Sequence, residues 1–220
     1  MMIEIRHVSK TYKRKTIFKD LNTTFHDSTL TVLLGENGAG KSTLLRMIAA
    51  LETKDSGDIL YDGRPLRQKD IQKLIGYIPQ DIALFDHLTV DENIAFFKSL
   101  NQHPVSDDVI DGFCETMHLK ERRVRVSQLS GGTKRKVNIL IGLLGNPKVL
   151  ILDEPTEGID LKSRYDIHRL LNELKETCLI ILTTHHIDEV EALADKIKLI
   201  GNNPFYETVL HKQGFVYENC

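Results

Sequence analysis

Residues 35–43 read GENGAGKST, and this stretch decides the fold. Gly35 is followed, four residues on, by Gly40, Lys41 and Ser42, the spacing of a P-loop. The TLTVLL run at 29–34 before it is apolar and β-branched, and KSTLLRMIAAL at 41–51 has a helical pattern. Strand, glycine loop and helix together are the context in which such a loop binds phosphate. Glycines let the backbone turn tightly, so that successive N–H groups and the helix N-terminus face the anion. Gly35, Glu36, Asn37, Gly38, Ala39 and Gly40 form the expected cradle, continued by Lys41, Ser42 and Thr43. Lys41 is placed to reach the β/γ-phosphates and the Ser42 hydroxyl suits Mg²⁺. A nucleoside triphosphate is the implied ligand.

The chain has 220 residues, enough for one or at most two domains with a sizeable core. A net charge of −2 and a pI near 6.5 give no basic signature, and no nucleic-acid partner is expected. The KRK run at 13–15 reads as a solvated face. No apolar run approaches the ~20 residues of a membrane span. The N-terminal MMIEIRHVSK alternates like a strand and lacks the apolar segment of a signal peptide. Cys114, Cys178 and Cys220 are widely separated, the pattern of free thiols in a reducing cytosol. A soluble, cytoplasmic chain is therefore expected.

Strand patterns open the chain at 3–8, 16–18, 21–25 and 57–63, and a short buried-type strand follows at 75–80. From there to about residue 143 the apolar period becomes helical. Thr89 with Glu92 forms a capping box, Ser106 starts a second helix through Met117, and a third runs from Gly132 with Val137, Leu140, Ile141 and Leu144 on one face. Strand–helix alternation then returns in KVLILDEP at 148–155, a helix over 161–175, and CLIILTTH at 178–185. The expected fold class is α/β, one domain over 1–220, with a helical insertion at about 81–143.

KVLILDEP ends in two carboxylates, and ligands of open α/β sheets sit beyond the carboxyl ends of strands. Asp153 is the candidate Mg²⁺ holder and Glu154 the candidate base for an attacking water. CLIILTTH ends at His185 and His186, of which His185 is expected at the γ-phosphate and His186, pointing elsewhere, at the surface. Gln80 also ends a strand and can reach the same metal and water. In LSGGTKRK at 129–136, Ser130, Gly131 and Gly132 open a helix whose first turn carries Lys134, Arg135 and Lys136. Cations there oppose the helix dipole, so an anion is expected in front of them, and a second anion site suggests another subunit's nucleotide.

Together these elements resemble the ATP-binding cassette (ABC) ATPases over almost the whole chain. GENGAGKST looks like Walker A, VLILDEP like Walker B and LSGG like the family signature. Gln80 sits at the Q-loop position, His185 at the switch-histidine position, Asp160 at the D-loop, and Tyr12 at the aromatic that stacks on adenine. The segment GYIPQDIALFDHLTVDENIAFF looks most like exporters of the daunorubicin-resistance type.

The resemblance implies a RecA-like P-loop core, an antiparallel β-subdomain and an inserted helical subdomain. It implies ATP and Mg²⁺ as ligands, with Lys41, Glu154, His185 and Gln80 in catalysis and Ser42, Gln80 and Asp153 at the metal. A second nucleotide-binding subunit would present its Ser130–Gly131–Gly132 element across each ATP, and a separate membrane permease would hold the pair at the inner face of the cell membrane. Three departures stand out. Thr133 replaces a common glutamine, with little expected effect. EGIDL places Glu157 near the dimer seam, and the tail after Asp195 lacks the usual hairpin or extension, so no accessory domain is expected. An importer, a soluble ABC ATPase and an ATP-gated signalling complex are the other implied uses.

Overall fold

The structure is a computed structural model describing residues 1–220. Its strands and helices run β1 (Ile3–Tyr12), β2 (Lys15–Phe25), β3 (Leu30–Leu34), α1 (Lys41–Ile48), β4 (Ser56–Tyr61), α2 (Gln68–Leu74), β5 (Ile75–Ile78), α3 (Val90–Ser99) and α4 (Asp107–Thr116). They continue as α5 (Gly131–Leu143), β6 (Val149–Asp153), α6 (Leu161–Leu174), β7 (Leu179–Thr184), α7 (Ile187–Leu193), β8 (Lys196–Leu199), α8 (Pro204–Lys212) and β9 (Glu218–Asn219). No helix is long and apolar enough to cross a membrane.

A parallel six-stranded sheet in the order β5-β6-β7-β3-β8-β9 forms the centre, and an antiparallel sheet in the order β2-β1-β4 lies against it. Both faces of the central sheet are buried, so its strands are apolar throughout. The two-residue period of a strand divides them. Leu30, Val32, Leu34, Leu150, Leu152, Ile180 and Leu182 pack with α3 through α8. Leu33, Val149, Ile151, Leu179 and Ile181 face the other way, onto α1 and the apolar side of β1 and β2.

The helix starts follow their caps. Thr89 and Glu92 form the reciprocal capping box, Ser106 accepts from the Val109 N–H, and Ser130 accepts from the Thr133 N–H. Two strands read separately at 16–18 and 21–25 are one, β2, irregular where Asp20 takes a φ of 59°. A bulge absorbs the break in alternation without ending the pairing. Sequence periodicity did not mark α2, α7 and α8, which are seven to nine residues long and too short to establish a helical period. Instead of a hairpin, the tail adds β8 and β9 to the parallel sheet, with α8 between them in sequence.

Candidate functional site

β3, β6 and β7 are neighbours in one parallel sheet, so the loops after their carboxyl ends lie side by side. The cleft they enclose is about 520 Å³ and is lined by Asn37, Gly38, Gly40, Lys41, Ser42, Thr43, Gln80, Glu154 and His185, together with Lys15, Ile17 and Glu157. Gly40, with a φ of 107°, turns the loop into α1, and a Cβ there would come within 2.5 Å of Ile17 and 2.9 Å of the Phe18 ring. Only glycine fits that backbone and that space.

Lys41 is 5 % exposed and donates to the carbonyls of Gly35 (2.7 Å) and Glu36 (3.2 Å). Burial pushes its ammonium below the usual lysine range, and Glu154, 3.6 Å away, pulls the other way. Asp153, opposite Thr183 in the β6–β7 register, accepts from the hydroxyls of Ser42 (2.9 Å) and Thr183 (2.7 Å). Glu154 has a φ of 48°, rare for a residue with a side chain, and its N–H is held by the Thr183 hydroxyl at 2.9 Å. Such strain gathers at functional sites. This turn sets the Glu154 carboxylate between Lys41 and His185 Nδ1, which is 3.1 Å from it.

Other expected residues lie elsewhere. Gly35 and Glu36 support Lys41 through their carbonyls, and Glu36 also accepts from Asn203 at 2.9 Å. Ala39 faces a separate hollow beside Gly201. Tyr12 does not line the cleft; it is 40 % exposed, its hydroxyl donates to Glu52, and Lys10 lies 4.9 Å from its ring centre. Glu52 in turn accepts from Arg46 of α1 at 3.1 Å, which ties Tyr12 to the helix that starts at Lys41. Asp160 caps α6, its two oxygens taken by the N–H (2.9 Å) and hydroxyl (2.7 Å) of Ser163. Gly132 packs against that cap, while Gly131 faces open space. Ser130, Gly131 and Gly132 are absent from the walls of this cleft.

Three expectations are corrected. Lys134, Arg135 and Lys136 do not gather on an anion, because consecutive helical residues point about 100° apart. Lys134 pairs with Asp86 at 3.1 Å, buried Lys136 with Asp166 at 2.5 Å, and buried Arg135 donates to the carbonyls of Pro79 (2.9 Å) and Gln80. Arg135 therefore fastens the Gln80 segment to α5. His185 and His186 do not diverge: their ring centres are 4.1 Å apart and both approach Glu157, at 3.5 and 3.1 Å. The chain bends into α7 between them, which overrides strand alternation. Within the 13–15 run, Lys15 lines the cleft, because the turn between β1 and β2 folds toward the glycine loop. A short basic run has no periodicity that would have identified it.

Serine hydroxyl, carboxylate and glutamine amide oxygens are hard donors, and Ser42 already touches Asp153, so the residues present fit Mg²⁺.

The chain matches the family profile described as ABC transporter over residues 18–157. It is 37 % identical over 205 residues to the linearmycin resistance ATP-binding protein LnrL of Bacillus subtilis (strain 168), covering 90 % of this chain and 66 % of that protein. It is 39 % identical over 209 residues to the phospholipid-transporting ATPase ABCA3 of Homo sapiens, covering 90 % of this chain but 12 % of that protein. The chain thus spans 4 to 12 % of the length of such large relatives. Among solved structures, the dimer of MJ0796, a bacterial ABC transporter cassette, superposes with a TM-score of 0.78 at 25 % identity, covering 90 % of this chain and 94 % of that one. The same cassette is known as a dimer in a post-hydrolysis state bound to ADP and Pi. On its cleft, its fold and these likenesses, the chain belongs to the ABC transporter family, as an ATP-hydrolysing cassette.

Proposed function

We propose that this cassette works as one of a pair, closing on ATP and Mg²⁺ and reopening after hydrolysis to drive export by separate membrane-spanning subunits. The row Lys41–Glu154–His185 along one wall of the cleft carries this reading. Lys41 would hold the β/γ-phosphates, with the backbone N–H groups of residues 35–43 around them. Ser42, Asp153 and Gln80 would hold Mg²⁺, which screens phosphate charge when bound. Glu154 takes a proton from the attacking water as the new O–P bond forms and the bond to the ADP oxygen breaks. His185, oriented through Nδ1 by Glu154, positions water and phosphate. Tyr12 offers a ring to the base.

Closure against a second subunit is supported by two features. Ser130, Gly131 and Gly132 do not line the chain's own cleft, and Gly131 is open to an incoming partner. The relatives named for linearmycin resistance and phospholipid transport favour export. Residues 81–143 would be the helical subdomain that meets a permease, the buried Arg135 connecting it to Gln80. The assembly would sit at the cytoplasmic face of the membrane.

Lys41→Ala should abolish hydrolysis and weaken ATP binding by about one to two decades, the worth of a charge-assisted bond of roughly 1.5–3 kcal/mol. Glu154→Gln should stall with ATP bound, as a dimer visible by sedimentation. In a mixed dimer of a Lys41→Ala chain with a Ser130→Arg chain, one site carries both lesions and the other neither. A single ATP should then be retained per dimer. Loss of ATP binding by the isolated Ser130→Arg chain would overturn the shared site. ATP-dependent movement of substrate by the reconstituted membrane complex separates export from a conformational signal.

A further inference from the structure

A cluster of Glu157, His185 and His186 shares only His185 with the catalytic row. Glu157 projects from the loop after β6, and His185 and His186 from the loop after β7; these strands are parallel neighbours. The two histidines approach the same Glu157 oxygen, His185 Nε2 at 3.5 Å and His186 Nε2 at 3.1 Å, and the three groups can bring one ligand atom each within 4.8 Å of one another. We propose that Glu157, His185 and His186 form a binding site for a Zn²⁺-class transition-metal ion, and that its occupancy holds the neighbouring nucleotide site inactive.

The spacing suits such an ion. Zn–N and Zn–O bonds of about 2.0–2.2 Å set the edges of a ligand tetrahedron at roughly 3.3–3.5 Å. Both observed approaches to Glu157 fall within a few tenths of that. Two imidazoles and one carboxylate select a borderline ion over Mg²⁺, which prefers an all-oxygen shell. Side-chain exposures of 41 % for Glu157, 28 % for His185 and 35 % for His186 leave an entry path and a position for water.

The hydrogen-bond partner of His185 points the same way. His185 Nδ1 lies 3.1 Å from Glu154, so a neutral His185 would donate from Nδ1 to that carboxylate and offer the Nε2 lone pair to a metal. Carboxylate–histidine–metal is the usual arrangement around a bound ion. His186 Nε2 is hydrogen-bonded to Glu157, whereas His185 Nε2, 3.5 Å from the same oxygen, makes no hydrogen bond and keeps its lone pair free for a metal when His185 donates from Nδ1.

Inhibition follows from that geometry and rests on the roles proposed above for Glu154 and His185. A metal on Nε2 withdraws His185 from phosphate while its Nδ1 contact with Glu154 is kept. The attacking water then loses the group that positions it against the γ-phosphate.

Zn²⁺ titration of the nucleotide-free chain by calorimetry tests the site without hydrolysis. Wild type should bind one ion, and Co²⁺ should give the visible bands of a four-coordinate site. His186→Asn and Glu157→Gln should each lower affinity by about 10–100-fold or more, no less than loss of an outer-shell partner. A wild-type chain that binds no Zn²⁺, or variants that bind with wild-type affinity, would show an ordinary hydrogen-bonded cluster and overturn the site. Under excess Mg²⁺ and ATP with buffered Zn²⁺, wild-type turnover should fall while His186→Asn keeps its metal-free rate. Turnover that is insensitive to bound Zn²⁺ overturns the inhibitory role. A chain that binds Zn²⁺ yet never hydrolyses ATP refutes the proposed catalytic roles and leaves the metal site standing.

Discussion

Gly131 and Gly132 are adjacent in sequence yet should respond oppositely to the same added methyl group. A Cβ on Gly131 would meet nothing within 4 Å, whereas one on Gly132 would lie 2.2 Å from Ser163 Oγ and 2.6 Å from Asp160 Oδ2. Both residues are in the first turn of α5, so alanine gains up to about 0.5–1 kcal/mol of helix propensity at either position. At Gly131 nothing opposes that gain, and the monomer should be unchanged or slightly more stable. At Gly132 overpacking costs about 1–3 kcal/mol, and displacing Asp160 from its N-cap bonds costs about another 1 kcal/mol. The net destabilisation is about 1–3 kcal/mol, read from urea unfolding of the nucleotide-free chains. The second measurement is ATP-dependent dimerisation in a Glu154→Gln background. Gly131→Ala should impair it, because under the proposed closure the methyl group would enter the surface that meets the partner's ATP. If Gly131→Ala destabilises the monomer as much as Gly132→Ala, Gly131 faces its own chain. Wild-type dimerisation by Gly131→Ala would refute its place at the composite site.

Tyr12→Ala should raise KM for ATP by about one to two decades, the worth of a stacking contact of about 1–3 kcal/mol, whereas Tyr12→Phe loses only an exposed bond to Glu52 and should be nearly silent; unchanged ATP affinity in the alanine variant would reduce Tyr12 to a surface residue. Burial alone would raise the Asp166 pKa, but Lys136 and His118 outweigh it and hold the carboxyl below the usual carboxylate range. A depressed folded pKa means that the unfolded chain binds the proton first. This contribution is therefore complete above the unfolded value near pH 4 and is lost as pH falls through the folded value. Asp166→Asn should flatten that acid limb and cost about 3–5 kcal/mol at neutral pH by leaving Lys136 buried and unpaired, which chemical denaturation across pH would show. Asn93, fully buried, bonds the N–H and carbonyl of Phe85 and the carbonyl of Thr89; Asn93→Ala should cost about 2–4 kcal/mol and speed hydrogen exchange in residues 85–89.

By itself the sequence determined the parts whose physics is local. The glycine spacing of 35–43, the apolar runs ending in Asp153 and His185, and the caps at Thr89, Ser106 and Ser130 each state their geometry within a few residues. That was enough for an α/β chain with a phosphate loop, paired carboxylates and helices between β5 and β6. Only tertiary structure decided what neighbouring loops do to one another. The parallel register of β6 and β7 places Thr183 on Asp153 and on the Glu154 N–H, and the turn at Glu154 aims its carboxylate between Lys41 and His185. Strand order likewise brings Glu157 to both histidines, although 28 residues separate Glu157 from His185 along the chain (185 − 157). Lys134, Arg135 and Lys136 read as one basic run, yet the helix points each at a different partner from another part of the chain. Composition and spacing record which groups are present; which carboxylate or carbonyl receives each cation is set by packing between segments distant in sequence.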